Sequence, residues 1–74
     1  MATRAQIEAI LPFARTNDER RQLRGMLDHY DRITHLFNSD PNRPITLEFD
    51  EIDSDVRRYV LACVERLNPD GSFV

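Results

Sequence analysis

The sequence has few of the residues that usually reinforce a small fold. Its 74 residues include a single cysteine, Cys63, so no disulfide can form within the chain. The two histidines, His29 and His35, do not combine with that cysteine in a zinc-binding spacing. A chain of this size buries only about 60% of the surface of its unfolded form, and small domains therefore depend on a disulfide, a metal or a partner copy. We expect a homo-oligomer, a dimer or larger, with no metal and no cofactor.

Long apolar runs and glycine are also scarce. No run of about 18 apolar residues is present, so no membrane span is expected. The first residues, MATRAQIEAILPFA, carry Gln6 and Glu8 within their apolar part, which does not fit a signal peptide. Gly25 and Gly71 are the only glycines and form no phosphate-binding loop, and no hydrolase-like set of Ser, His and Asp is available. These absences favour a cytoplasmic protein that is not an enzyme.

Lysine is absent as well, so all ten basic residues are arginine. Arginine makes planar two-pronged contacts with carboxylates and phosphates that lysine cannot make. The same composition also arises from the codon bias of a GC-rich genome, and the sequence does not separate the two explanations. The net charge of −3 argues against a nucleic-acid partner, because nucleic-acid-binding domains usually carry a basic surplus.

A short first helix is predicted over residues 4–13. Thr3 and Gln6 fit a capping box, in which the hydroxyl and the side-chain amide satisfy free backbone amides at the helix start. From Ile7 onward, apolar residues recur at helical spacing. Pro12 should kink or end this helix, because proline has no amide hydrogen and its ring crowds the preceding turn.

A longer second helix is predicted over residues 17–37. Thr16 and Glu19 suggest another capping box, and the segment Asn38–Pro41 contains residues that end helices. About 22 residues make a helix roughly 33 Å long, and its apolar stripe is roughly 120° wide. That stripe is longer than the rest of the chain is expected to cover, so part of it should meet another subunit. The residues assigned to the oligomer interface, with one from the third helix, are Leu23, Met26, Leu27, Tyr30, Ile33, Phe37 and Leu61.

The second half of the chain predicts an extended arm and a third helix. Residues 45–49 alternate between apolar and polar side chains, as in an extended segment with one buried face. With no neighbouring strand, the arm either pairs across an oligomer or packs as extended coil, and we favour the coil. The third helix is predicted over residues 53–67, followed by a tail, 69–74, that is mobile unless Phe73 docks.

Together these elements predict an all-α fold with a single helical domain over residues 1–74. The second and third helices are expected to form a long antiparallel hairpin, with the short first helix beside it. In that arrangement the start of the third helix lies near the end of the second.

Acidic residues cluster around the end of the arm. Five carboxylates occur within eight residues and no basic residue interrupts them. The spacing does not fit a calcium-binding loop, which needs a glycine at its bend. The cluster predicts either a partner-binding surface or a solvated helix start favoured by the helix dipole. Its members are Glu48, Asp50, Glu51, Asp53 and Asp55.

A basic cluster opens the second helix. Arg20 and Arg24 are one turn apart on one flank of the stripe. With Tyr30 they predict a possible site for a nucleotide or another phosphorylated ligand at a subunit junction, because paired guanidinium groups suit phosphate oxygens. The alternative is pairing with the acidic start of the third helix, within or between subunits.

The predicted function is therefore a non-enzymatic protein-interaction module. In this interpretation the chain is an oligomeric helical adaptor, inhibitor or regulator that docks on another protein. The alternative function is a small binding protein for a nucleotide or other phosphorylated ligand.

Overall fold

The computed structural model of the protein describes residues 1–37 and 40–74. Within them the all-α class is confirmed, with three α-helices and no β-strand. Asn38 and Ser39, where the sequence predicts the end of the second helix, lie outside the described residues. The elements in chain order are α1 (Arg4–Ile10), a 3₁₀ turn (Leu11–Phe13), α2 (Asn17–Phe37) and α3 (Ser54–Val64).

Local signals set the bounds of α1. The Thr3 hydroxyl accepts a hydrogen bond of 3.2 Å from the Gln6 amide, and the Gln6 side chain accepts one of 2.9 Å from the Thr3 amide. The capping box is thus formed as predicted. The α-helix ends at Ile10 and continues as a 3₁₀ turn that contains Pro12, because proline cannot donate the next helical hydrogen bond.

The start of α2 agrees with the sequence, whereas α3 is shorter than expected. At the start of α2 the Thr16 hydroxyl accepts from the Glu19 amide at 3.0 Å. The Glu19 carboxylate reaches one residue further back than a capping box requires and accepts from the Arg15 amide at 2.9 Å. The last helix, α3, spans Ser54–Val64 instead of 53–67, and Asp53 occupies its N-cap position.

The structure does not confirm the long hairpin of α2 and α3, because α1 packs against both of these helices. Arg4 at the start of α1 pairs with Asp31 in the second half of α2, so these two helices run antiparallel. Near the other end of the chain, the Asp53 amide donates to the Gln22 side chain at 2.9 Å. The start of α3 therefore lies beside the first half of α2, which corrects the expectation that it lies near the end of α2.

The extended arm closes the core as a coil. Leu47 is buried at 2% exposure, while Thr46 and Glu48 are exposed, so the predicted alternation is confirmed. Ile45 exchanges two backbone hydrogen bonds of 2.9 Å with Ala2, which form an isolated bridge and no strand. The core of the chain consists of Ala2, Ile7, Ile10, Leu23, Met26, Tyr30, Leu47, Ile52, Val56, Val60, Val64 and Leu67.

The terminal segment, for which the sequence predicts mobility, folds back against α1. The Thr3 hydroxyl donates to the Pro69 carbonyl at 2.6 Å, and the Gln6 side chain donates to the Leu67 carbonyl at 3.3 Å. Gly71 adopts φ +87°, and a Cβ atom at this position would lie 2.7 Å from the Ala5 carbonyl oxygen. Only glycine fits here, because the backbone is left-handed and α1 is too close for a side chain.

Candidate interaction surfaces

An apolar groove lies between α1 and α3, and we call it the aromatic groove. It has a volume of about 260 Å³. Phe13 and Phe73 are 60% and 73% exposed, so two large rings stand at its wall with most of their surface in solvent. The residues that line the aromatic groove are Ala9, Ile10, Phe13, Tyr59, Cys63, Arg66, Leu67 and Phe73.

Hydrogen bonds hold the wall of the aromatic groove in place. The Tyr59 hydroxyl donates to the Phe13 carbonyl at 3.0 Å, which joins α3 to the 3₁₀ turn. The Arg15 guanidinium lies 3.9 Å from the centre of the Tyr59 ring, within cation–π range. On the other side, Phe73 forms an isolated bridge with Leu67, so the tail is held next to the end of α3.

Arg15 is itself fixed by the carboxylate of Glu19. The Arg15 side chain donates to both Glu19 oxygens at 2.9–3.2 Å, and Glu19 is only 5% exposed. These bonds lower the pKa of the Glu19 carboxyl below its ordinary value and raise that of Arg15. Because the carboxylate is buried, its charge must stay paired, and this ties Arg15 to its position above Tyr59.

The chemistry of the groove is that of a binding surface. Burial raises the pKa of the Tyr59 hydroxyl, and the neighbouring Cys63 thiol adds to the effect. The thiol is half-buried near the C-terminal end of α3, away from the helix N-terminus, which is a position that activates nucleophilic cysteines. Of the described lining residues only Arg66 carries a charge. The groove therefore offers apolar contact with a single cation.

A second concave surface lies between α2 and the arm, and we call it the acidic depression. It has a volume of about 490 Å³, and its edge carries three exposed carboxylates that form no ion pair with any described residue. The His29 ring stacks on the Phe49 ring with centroids 4.3 Å apart. The residues that line the acidic depression are Gly25, His29, Arg32, Glu48, Phe49, Asp50, Glu51 and Ile52.

The structure divides the predicted acidic patch. Glu48, Asp50 and Glu51 share the acidic depression. The Asp53 carboxylate instead accepts from the Gln22 side chain at 3.0 Å. Asp55 lies on α3, with its carboxylate 3.9 Å from the Arg58 guanidinium. Three of the five predicted residues thus form one surface.

The predicted anion site is not assembled within the chain. Arg20 is half-buried and donates to the Asn17 side chain at 2.9 Å, whereas Arg24 is exposed. Tyr30 is 1% exposed and belongs to the core. Its hydroxyl makes no hydrogen bond of normal geometry with a described residue, and burial raises its pKa. Ten residues of helix separate Arg20 and Tyr30 by roughly 15 Å, so a single phosphate cannot contact both.

Most of the predicted oligomer interface is buried inside the chain itself. Leu23, Met26 and Tyr30 are 0–1% exposed within the single chain, and Leu23 and Met26 belong to one core cluster with residues of α1, the arm and α3. The prediction that another subunit must cover these three is therefore wrong. Leu27, Ile33 and Leu61 are half-buried, and Leu27 and Leu61 pack against the edge of the core. Only at the C-terminal end of α2 does the stripe become exposed, at Phe37.

Sequence reasoning missed the aromatic groove. Phe13 follows Pro12 and lies outside the periodic apolar positions of the first helix, and Phe73 lies after the last predicted helix. A large aromatic residue outside every apolar stripe was the available signal. It could not locate the groove, because Phe13, Tyr59 and Phe73 are distant in sequence and meet only through packing.

The described residues contain neither a metal-binding cluster nor a membrane-spanning helix. Within residues 1–37 and 40–74, no group of three or more His, Cys, Asp or Glu side chains is arranged to hold a metal ion. Over the same ranges, no helix has both the length and the apolar character required to cross a bilayer. Comparison of the chain with models of protein families, with curated proteins and with solved structures gave no significant match.

Proposed function

We propose that this chain is a small, non-enzymatic protein-interaction module and that the aromatic groove is its docking surface. The observation that carries the proposal is the exposure of Phe13 and Phe73, 60% and 73% respectively, among the residues that line one apolar groove. Single exposed apolar residues are common on protein surfaces, but contiguous apolar patches usually mark interaction sites. Aromatic side chains also contribute most of the binding energy in many protein interfaces.

The groove is already ordered in the absence of a partner, which favours a role in binding. Its walls are fixed before any partner arrives, by the Tyr59–Phe13 hydrogen bond and by Arg15 above the Tyr59 ring. A preorganised surface loses less conformational entropy on binding than a mobile one. Burying one fully exposed Phe side chain contributes about 1.5–3 kcal/mol, so the two partly exposed rings together contribute a few kcal/mol toward binding a partner.

Self-association, a partner for the acidic patch and a cytoplasmic location, which the sequence predicts, also remain proposals. Self-association now depends on the exposed end of α2, where Leu36 is 74% exposed and Phe37 is 71% exposed. Glu48, Asp50 and Glu51 remain a candidate second contact for a basic partner. A cytoplasmic location and a regulatory or adaptor role also remain proposals. The phosphorylated-ligand alternative is less favoured, because burial of Tyr30 removes one of its three residues.

A peptide selection tests the docking surface. Random peptides displayed on phage are selected on the wild-type chain and then measured against a Phe13→Asp variant. We expect enrichment of peptides with bulky apolar residues and a loss of binding of about tenfold or more in the variant. The backbone carbonyl of Phe13 that accepts from Tyr59 is unchanged by this substitution.

Leu36→Asp provides the matched control. It places the same charge at an apolar residue of similar exposure, 74%, on α2 rather than at the groove. The selected peptides should bind this variant as they bind the wild type. Selected peptides that bind the Phe13→Asp variant undiminished would show that the aromatic groove is not the docking surface. Circular dichroism of both variants establishes that each remains helical.

A further inference from the structure

We infer that the partner segment for the aromatic groove is an acidic peptide with bulky apolar side chains, and that Arg66 selects it by its charge. This inference rests on the proposed docking function. It goes further by naming the chemistry of the partner. The apolar character comes from the two phenylalanines and the acidic character from the single charged residue at the groove.

Charge complementarity supports the acidic partner. Arg66 is exposed and, of the described residues that line the groove, it alone is charged. Among the described residues it forms no ion pair, whereas Arg15, the other arginine next to the groove, is held by Glu19. The chain as a whole carries a net charge of −3, so Arg66 provides a positive charge at the groove of an acidic protein. A carboxylate on the partner can pair with Arg66, and a basic partner is repelled.

The size of the groove limits how much of the partner enters it. Its volume of about 260 Å³ is slightly below the range of about 300–1,000 Å³ that is typical of small-molecule pockets. It therefore accommodates one or two side chains of a partner, with the rest of that segment outside. Grooves between helices commonly bind an amphipathic helix whose apolar residues are one turn apart. The acidic residue then lies beside the apolar ones, within reach of Arg66.

A second copy of this chain is the less favoured occupant. Two copies that each carry a net charge of −3 repel one another at low salt. An acidic segment of a different protein meets the Arg66 guanidinium without needing a second copy of the groove. Light scattering distinguishes the two occupants: a dimer that dissociates in a Phe13→Ala variant would assign the groove to self-association and overturn the inference.

Fluorescence anisotropy with three synthetic peptides tests the inference on the intact chain. The first is a fluorescein-labelled peptide with Leu and Phe one helical turn apart and Glu or Asp between them. The second has Lys at every acidic position, and the third has Ala in place of Leu and Phe. We expect the acidic peptide to bind about tenfold more tightly than the lysine peptide, and the alanine peptide not to bind.

Charge reversal at Arg66 tests whether this residue sets the preference for the acidic peptide. Arg66→Glu should abolish or invert the preference for the acidic peptide. Arg58→Glu makes the same charge change on α3 at a residue that does not line the groove, and it should leave the preference intact. Equal binding of the acidic and lysine peptides, with Phe13→Ala weakening both, would overturn the inference and leave the docking function standing. Absence of any binding that depends on Phe13 would overturn both.

Discussion

The aromatic groove and the acidic depression are both concave surfaces, but they are constructed in different ways. Hydrogen bonds between side chains and the backbone hold the wall of the groove. The C-terminal tail that carries Phe73 packs closely on α1 at Gly71, where the Ala5 carbonyl leaves no room for a side chain. The acidic depression is larger and more polar, and Gly25 in its wall has nothing within 4 Å of the position a Cβ atom would occupy. Its three carboxylates form no ion pair among the described residues.

The groove is lined by residues that join α1, α3 and the tail, whereas the depression is lined in part by exposed side chains that form no ion pair among the described residues. In the groove, a change to one side chain disturbs contacts between α1, α3 and the tail. In the depression, His29 and Phe49 join α2 to the arm, but a change at the exposed carboxylates or at Gly25 mostly alters the surface alone. Substitutions at the bracing residues of the groove should therefore reduce stability, whereas matched substitutions at the depression should be neutral or stabilising.

The largest effect is expected for Gly71→Ala. The added Cβ atom would lie 2.7 Å from the Ala5 carbonyl oxygen, on a backbone with φ +87°. We expect the Tm to fall by about 10 °C, since both the left-handed backbone and the close contact oppose a side chain. Thermal unfolding followed by circular dichroism measures this. An unchanged Tm would mean that the tail does not lie against α1, and that Phe73 is not held at the groove.

The second effect concerns the buried carboxylate that holds Arg15. Glu19→Gln removes the charge that pairs with Arg15, and we expect the Tm to fall by about 5 °C at neutral pH. The pKa of Glu19 is lowered in the folded state, mainly by its bonds to Arg15. Its stabilising contribution is therefore complete above the ordinary pKa of about 4.3 and is lost as the pH falls through the lowered value.

Melting curves from neutral pH down to about pH 2 check the sign of this effect. The Tm difference between wild type and Glu19→Gln should shrink below about pH 4 and vanish once the wild-type carboxyl is protonated. A difference that stayed constant across this range would mean that the charge on Glu19 contributes nothing, and that Arg15 is held by other contacts.

The third effect has the opposite sign and belongs to the acidic depression. Gly25 lies within α2, and the space beside it is open. Gly25→Ala should raise the Tm by about 4 °C, because alanine stabilises a helix interior by roughly 1 kcal/mol relative to glycine. A lower Tm would indicate that Gly25 is in close contact with the arm, and that the depression is as closely built as the groove.

The smallest effect is expected for a charge at the edge of the depression. Glu51 is exposed and forms no ion pair with any described residue. Glu51→Gln should therefore change the Tm by less than about 2 °C. It is also the matched control for Glu19→Gln, since both replace one glutamate by its amide. Equal losses in the two variants would remove the distinction between a braced and an open surface.

Prediction from the sequence succeeded where the deciding interactions are local. The Thr3–Gln6 capping box, the break at Pro12 and the start of α2 depend on residues within one or two helical turns. The alternation around Leu47 is likewise readable from adjacent residues, because successive side chains of an extended segment point in opposite directions. Three residues of the acidic patch share one surface simply because they are close in sequence.

Prediction failed where the outcome depends on which elements pack together. The α2 stripe was expected to need a second subunit, because the short α1 seemed unable to cover it. In the structure α1 packs on both α2 and α3, and Leu23 and Met26 are completely buried in a core shared with α1, the arm and α3. An apolar stripe indicates that a helix face is buried, but it does not indicate which part of the protein covers that face.

The sequence by itself determined an all-α chain with three helices, an extended arm and no disulfide, because caps, proline and hydrophobic spacing act over a few residues. Only the tertiary structure decided that α1 lies against both other helices and that the tail returns to it. That packing brings Phe13, Tyr59, Arg66 and Phe73 to one groove. The physical reason is that a contact between distant residues depends on the burial of whole helix faces, which no short segment specifies.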